Sequence, residues 1–320
     1  MRRSVALLVL AIVIALPLSL LAGRVWIDPL SPETRNATVI LVELRLPRAI
    51  LALVVGTGLG AAGAAMQGYL RNPLADPGLF GIAPGAALGA VLSFWTGYAI
   101  APFALPVFAL IGAGGAMALL ALIAGRQGGI ALFTLAGLMI ASLAGALMSL
   151  AISLAPSPFA MSEIVIWLMG SLADRSWREV WIAAPLTFLG LAALLAAGRS
   201  LDALTLGEAA ARSLGVEPRT LQWLLIAGVG LTVGAGVAVA GIIGFVGLIV
   251  PHLVRPLTDR RPSSLMLPSA LAGALLVLLA DVLCRILPLA GGELRLGIAL
   301  SLIGAPFFLH LLLKMRRGLA

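Results

Sequence analysis

Few side chains in this 320-residue chain could carry out covalent or metal chemistry. The only histidines are His252 and His310, and the only cysteine is Cys284. No intrachain disulfide or cysteine metal cluster can form, and two distant histidines do not suggest a zinc site. The only lysine, Lys314, is followed by Met315. A phosphate-binding loop needs Gly-x-x-x-x-Gly-Lys-Ser/Thr so that a lysine reaches the nucleotide phosphates, and this chain cannot supply it. No cluster of acids, histidines or serines marks a nucleophile. We therefore assign no catalytic residue, no metal ligand and no bound cofactor. What remains is charge: Arg45 and Arg48 around Pro47, and Asp281 four residues before Arg285, a spacing that allows pairing on one helix face.

Those charges lie in an apolar matrix. Hydrophobic residues make up 61% of the chain and charged residues 11%, against about 45–50% and about 25% in soluble domains. That much apolar surface cannot be hidden in water, which excludes a soluble enzyme, a disordered protein and a nucleic-acid binder, despite the net charge of +8. A hydrocarbon core of about 30 Å takes about 20 apolar residues per helix. Stretches of that kind lie near 5–22, 48–69, 82–99, 103–124, 132–154, 179–197, 222–241, 242–257, 265–285 and 295–314. The chain reads as one all-α polytopic membrane domain over 1–320 with about ten spans. The seventh and eighth stretches are short for two full crossings, so one of them is expected to be partial. The first is long for a secretory signal and lacks a clean cleavage site, so we read it as a retained helix. With both termini in the cytoplasm, 13 of the 21 Lys and Arg residues fall on the cytoplasmic side, the sign the positive-inside rule requires.

Several segments stand out from the spans. The outer connection from Gly23 to Pro47 is long. The inner segment from Arg199 to Gln222 is also long: Thr205 with Glu208 fits a capping box, Gly215 a stop, and Pro218 a restart, so two short surface helices are expected there. A further short helix is expected on the outer face near Met161 to Leu172. The run from Met66 to Gly81 carries Pro73, Pro77, Gly78 and Gly81 at the cytoplasmic end of a span; irregular backbone there must be buried or line a wet cavity. Gly56-x-x-x-Gly60, Gly85-x-x-x-Gly89 and Gly230-x-x-x-Gly234 are small-residue packing motifs, read as packing within one bundle. Gly56, Gly58, Ala62, Gly63 and Pro73 recur 178 residues later as Gly234, Gly236, Ala240, Gly241 and Pro251, a weak sign of an inverted repeat. Arg45 and Arg48 at the outer mouth of a span can either snorkel to water or receive acidic residues of a partner.

At Arg45-Leu46-Pro47-Arg48, Gly63-Ala64-Ala65-Met66-Gln67, Asn72-Pro73-Leu74-Ala75-Asp76-Pro77-Gly78, the run from Gly241 to Arg255, and Gly304-Ala305-Pro306, the chain resembles the permeases of ATP-binding-cassette importers for vitamin B12, ferric siderophores and haem. The resemblance runs from about residue 40 to the C-terminus, in the family's order. It implies the type II importer permease fold, a bacterial inner-membrane location and a homodimer, or a pseudo-dimer with a second similar permease, with the pathway on the shared axis, lined by Leu135 to Leu154 and Leu296 to Leu313. It implies a pair of ATPase subunits on the cytoplasmic face, which bind the ATP and Mg, and a substrate-binding protein outside. By position, Arg45, Arg48 and Arg285 match the binding-protein docking site, and Asn72 and Leu74 the cytoplasmic gate. Leu206, Gly207, Glu208, Ala209, Ala210, Arg212, Leu214 and Gly215 match the ATPase-coupling helices within about 199–222. Arg295 stands where the family usually has proline, which bears on the start of the last span. The competing reading is an ion-coupled secondary carrier acting alone; it needs intramembrane acids as relays, and Asp281 is the one candidate. A membrane-embedded enzyme would need residue clusters the sequence lacks. The family motifs do not separate a siderophore from haem or cobalamin.

Overall fold

The structure, a computed structural model, describes residues 2–23, 26, 37–101, 103–124, 129–287 and 292–317. Residues 24–25 and 27–36 of the long outer connection lie outside them. The elements are α1 (Arg2–Leu21), α2 (Ala37–Val39), a π-helical turn (Ile40–Arg45), α3 (Leu46–Leu70), α4 (Ile82–Trp95), α5 (Ala104–Ala124), α6 (Ile130–Ser153), α7 (Pro158–Leu168), α8 (Trp177–Leu204), α9 (Glu208–Ser213), α10 (Pro218–Ala240), α11 (Val246–Val254), α12 (Pro262–Ile286) and α13 (Leu296–Arg317). Each of the ten expected stretches holds a helix. Among the described residues, eight helices are long and apolar enough to cross a membrane, while α4 and α11 are shorter. The partial crossing foreseen near Leu221 to Arg255 is α11.

Pro47 does not start its helix. The chain is already helical from Ala37, and the Leu46 N–H bonds the Leu41 carbonyl, five residues back. A proline inside an α-helix clashes with the carbonyl four residues earlier; the wider π turn just before Pro47 gives it room. The outer short helix also forms three residues earlier than expected, because Ser157 caps it by accepting from the Ala160 N–H at 3.1 Å and Pro158 fills its first turn.

Helix α3 is the buried centre, packed on α8, α10 and α12. Its small residues set how closely those neighbours approach. A Cβ added at Gly273 of α12 would lie 2.2 Å from the Gly56 carbonyl oxygen, so the two backbones touch. Gly89 meets the Phe108 carbonyl of α5 in the same way, and Gly234 meets Ala113. The small-residue motifs therefore find their partners inside this chain. Helices α3 and α10 run antiparallel: Gln222, early in α10, donates to Tyr69 Oη, late in α3, at 3.2 Å, while Gly58 faces Thr232. That is the relative direction an inverted repeat requires.

Between α10 and α11 the backbone breaks at Gly241 (φ +74°), and Phe245 takes a left-handed φ of +67°. Freed backbone groups inside a membrane need partners. The loop after α7 supplies one, as Ser171 N–H donates to the Ala240 carbonyl at 2.8 Å. Gly297 N–H, in the first turn of α13, donates to the Gly170 carbonyl at 3.3 Å. Three segments thus meet at the outer ends of α7, α10 and α13. Arg295 carries no proline restraint, yet α13 starts beside it, with the Arg295 carbonyl accepting from Ala299 N–H at 3.1 Å.

Candidate functional site

At the outer end of the bundle, a cavity of about 330 Å³ is lined by Arg45, Arg48, Arg175, Arg285, Asp174 and Glu293, among others. Beneath it lies Asp281, fully buried. Arg48 Nε reaches both Asp281 oxygens, at 3.0 and 3.1 Å, and Arg48 Nη2 lies 2.9 Å from Oδ1. Arg285 Nε lies 3.1 Å from Asp281 Oδ2 as an ion pair, off the hydrogen-bonding direction, and Nη1 donates to the Ala22 carbonyl at 3.3 Å. Asp281 is therefore a hub between the buried Arg285 and the partly buried Arg48, and the pairing expected of Asp281 with Arg285 is present. On its outer edge, Arg48 Nη2 donates to Glu293 Oε2 at 2.8 Å. Arg45 Nη1 donates to the Leu20 and Leu21 carbonyls at the end of α1, at 2.8 and 2.9 Å; a cation suits that end of a helix. Of the three arginines singled out by sequence, Arg48 and Arg285 are thus largely committed inward. Arg175, in the loop before α8, has no hydrogen-bond partner for Nε among the described residues. Burial pulls its pKa below the ordinary arginine value, against the opposing pull of Glu179 and Asp174.

At the other end of α3, Arg71 takes a left-handed φ of +50° and ends the helix. Asn72 Oδ1 accepts from Leu74 N–H at 2.9 Å and Asp76 Oδ1 from Gly78 N–H at 2.7 Å, two consecutive Asx turns that shape the loop. Burial pushes the Asp76 carboxyl above its usual pKa, with the Gly78 N–H opposing. The residue is half-buried and borders a small cavity of about 60 Å³ shared with Gly241 to Gly244. Just before the loop, Gln67 Nε2 donates to the Gly247 and Leu248 carbonyls, each at 3.3 Å, and Gln67 Oε1 accepts from Arg255 Nη2 at 2.8 Å. The inner end of α3 is thereby tied to α11 at both ends of that helix. His252 packs edge-on against Phe307.

The inner surface departs from expectation. Thr205 does not cap α9; its hydroxyl bonds the Asp202 carbonyl at 2.7 Å and closes α8, while Gly207 (φ +103°) precedes α9. Pro218 opens α10 directly, with Glu217 as its cap, so one short helix forms there rather than two. The physical reason is continuity: from Pro218 to Ala240 nothing breaks the helical run. In α9, Ala211 faces inward and Glu208 pairs with Arg212 at 3.8 Å. Leu206 and Leu214, at its two ends, are exposed. Behind α9 lies a cavity of about 450 Å³ lined by Tyr69, Glu208, Arg212, Glu217 and Gln222, among others. Asp202 also accepts from Ser263 N–H at 2.9 Å and Ser263 Oγ at 2.5 Å, joining the end of α8 to the start of α12.

The sequence pattern of the FecCD transport family matches residues 5–314. The chain belongs to that family. It is 37% identical over 320 residues to the vitamin B12 import system permease protein BtuC of Serratia proteamaculans (strain 568), covering 98% of this chain and 94% of that one. The same protein of Escherichia coli O9:H4 (strain HS) is 39% identical over 308 residues, with 95% and 93% covered. Among solved structures, an inward-facing metal-chelate type ABC transporter matches with a TM-score of 0.89 at 33% identity, covering 98% of this chain and 100% of that one. This FecCD protein is a multi-pass inner-membrane permease subunit of an ABC importer, a transport subunit with the type II permease fold. Permeases of this kind pair with an ATPase and a substrate-binding protein.

Sequence reasoning about this FecCD permease missed two kinds of residue. Glu293 lies just before α13, and nothing in its spacing tells that it meets Arg48, 245 positions away. Arg175 sits in an unremarkable loop, and only the folded chain brings it beside Arg48 and Arg285.

Proposed function

We propose that this permease forms half of the membrane conduit of an importer for a large metal chelate, with cobalamin its foremost cargo and a ferric siderophore or haem the alternatives. The observation that carries the reading is the pairing of an arginine-lined basin outside with an exposed short helix inside, at opposite ends of one helical bundle. Acidic residues on the two lobes of a substrate-binding protein would enter the basin through Arg45, Arg48 and Arg285, where complementary charge steers and registers the partner. The segment from about 199 to 222 would sit on the ATPase, with Leu206, Gly207, Glu208, Ala209, Ala210, Arg212, Leu214 and Gly215 at the contact. A short helix in a partner's groove passes on a rigid-body motion without chemistry in the permease. Asn72 and Leu74 would form the cytoplasmic gate.

A homodimer fits the exposed apolar faces of α6 and α13. Leu135, Leu138, Leu143 and Leu150 of α6, with Leu302 and Leu309 of α13, lie open in the single chain. Two copies facing across these helices would enclose a weakly polar pathway, leaving selectivity to the binding protein. A proton-coupled carrier finds little support, since Asp281 is held by two arginines.

The test is uptake into liposomes holding the permease with its ATPase and ATP, supplied outside with binding protein and cobalamin, a ferric siderophore or haem. Cobalamin uptake that needs every component supports the reading. Uptake of only another chelate replaces the cargo, and uptake driven by an ion gradient alone rejects the class.

A further inference from the structure

Arg48 holds two carboxylates of very different standing. Asp281 is sealed beneath it, whereas the Glu293 side chain keeps 31% of its surface exposed at the cavity rim. Glu293 belongs to the segment just before α13, and its Oε2 lies 2.8 Å from Arg48 Nη2 on the edge that faces the cavity. An acidic side chain arriving from outside would need that same edge. Four arginines around the cavity face the carboxylates of Asp174, Glu293 and the buried Asp281, which leaves one net positive charge. Arg175 lines the same cavity with an Nε that lacks a hydrogen-bond partner among the described residues, so a second guanidinium is at hand for a displaced carboxylate.

We propose that Glu293 is a built-in stand-in for the partner's carboxylate, and that docking of the substrate-binding protein exchanges Glu293 for an acidic side chain of that protein at Arg48. This rests on the docking reading given above. Arg48 then never faces the membrane boundary with its outer edge unpaired, which would leave a partly buried guanidinium short of hydrogen bonds. The exchange also moderates affinity, because each docking event must break one charge-assisted bond to make another. A docking protein that delivers cargo and leaves again requires such moderation.

The experiment measures binding of the substrate-binding protein that supports uptake to the complete importer in nanodiscs. Glu293→Gln keeps the side-chain shape and releases the Arg48 edge, so Kd should fall about tenfold at low salt, the gain shrinking as salt rises. Glu293→Asp keeps the charge but shortens the reach, and should also tighten binding, which a purely long-range charge effect would not produce. Arg45→Glu serves as the control for the face itself and should weaken docking. If Arg45→Glu weakens docking while Glu293→Gln and Glu293→Asp leave Kd unchanged or raise it, the exchange is overturned and the docking face stands. If none of the three changes Kd, both fall. Thermal unfolding of each variant separates these outcomes from misfolding, and Glu293→Ala replaces any variant that does not fold.

Discussion

Asp281 of α12 ties the outer end of its helix to α3 through Arg48. It is fully buried, bound bidentately by Arg48 and paired with Arg285. Asp281→Ala would leave the buried Arg285 and the partly buried Arg48 guanidinium groups without their shared carboxylate, and Arg285 already has Nη2 unsatisfied among the described residues. Removing one partner of a buried pair costs about 3–5 kcal/mol. At about 2–4 °C per kcal/mol for a chain of this order of size, the melting temperature should fall by about 6–20 °C. The six tryptophans give a fluorescence signal for thermal unfolding in detergent. Asp281→Asn keeps the shape and one acceptor, so its loss should be smaller. Replacing the hub as a whole, with Asp281→Leu, Arg48→Met and Arg285→Leu, should recover much of the stability, because apolar residues of similar volume often substitute for buried ion pairs without loss. A melting temperature for Asp281→Ala within about 2 °C of the parent would refute the structural role. Asp281→Asn protein that stays fully folded but loses all transport would point instead to a relay.

The helix contact at Gly56 and Gly273 should not tolerate a methyl group: Gly273→Ala brings Cβ to 2.2 Å from a backbone oxygen, and forcing the helices apart should cost about 1–3 kcal/mol, read as a lower melting temperature. Asp76 gives a pH dependence. Its pKa is raised by burial, so protonation favours the folded chain, and stability from this site is greatest at low pH and declines as pH rises through the raised value. Asp76→Asn should therefore raise the melting temperature more near pH 8 than near pH 4. Leu206→Ser with Leu214→Ser should uncouple ATP hydrolysis from uptake while leaving the permease as stable as before, since both side chains are already exposed; unaltered coupling would remove α9 from the ATPase contact.

The spans were legible because their signal is local: a run of about twenty apolar residues means the same thing wherever it occurs in a membrane chain. The partial helix α11 was also legible, since two crossings do not fit between Leu221 and Arg255. Helix ends were less so. The capping pattern at Thr205 and Glu208 competes with continuation of α8, and tertiary context favours continuation, with Asp202 holding the start of α12. The span read from residue 48 is already helical from Ala37, and sequence alone gives no sign of the π turn that lets the helix pass through Pro47. The arginines were legible as types and positions. Their partners were not: Arg48 meets Asp281 and Glu293 from more than two hundred residues away, and no local pattern encodes that meeting.

The most direct measurement is cargo uptake by the purified permease in sealed vesicles, with the ATPase and binding protein added or withheld one at a time. The account predicts accumulation only when both are present together with ATP. Accumulation by the permease alone, under an ion gradient and with no nucleotide, would contradict it.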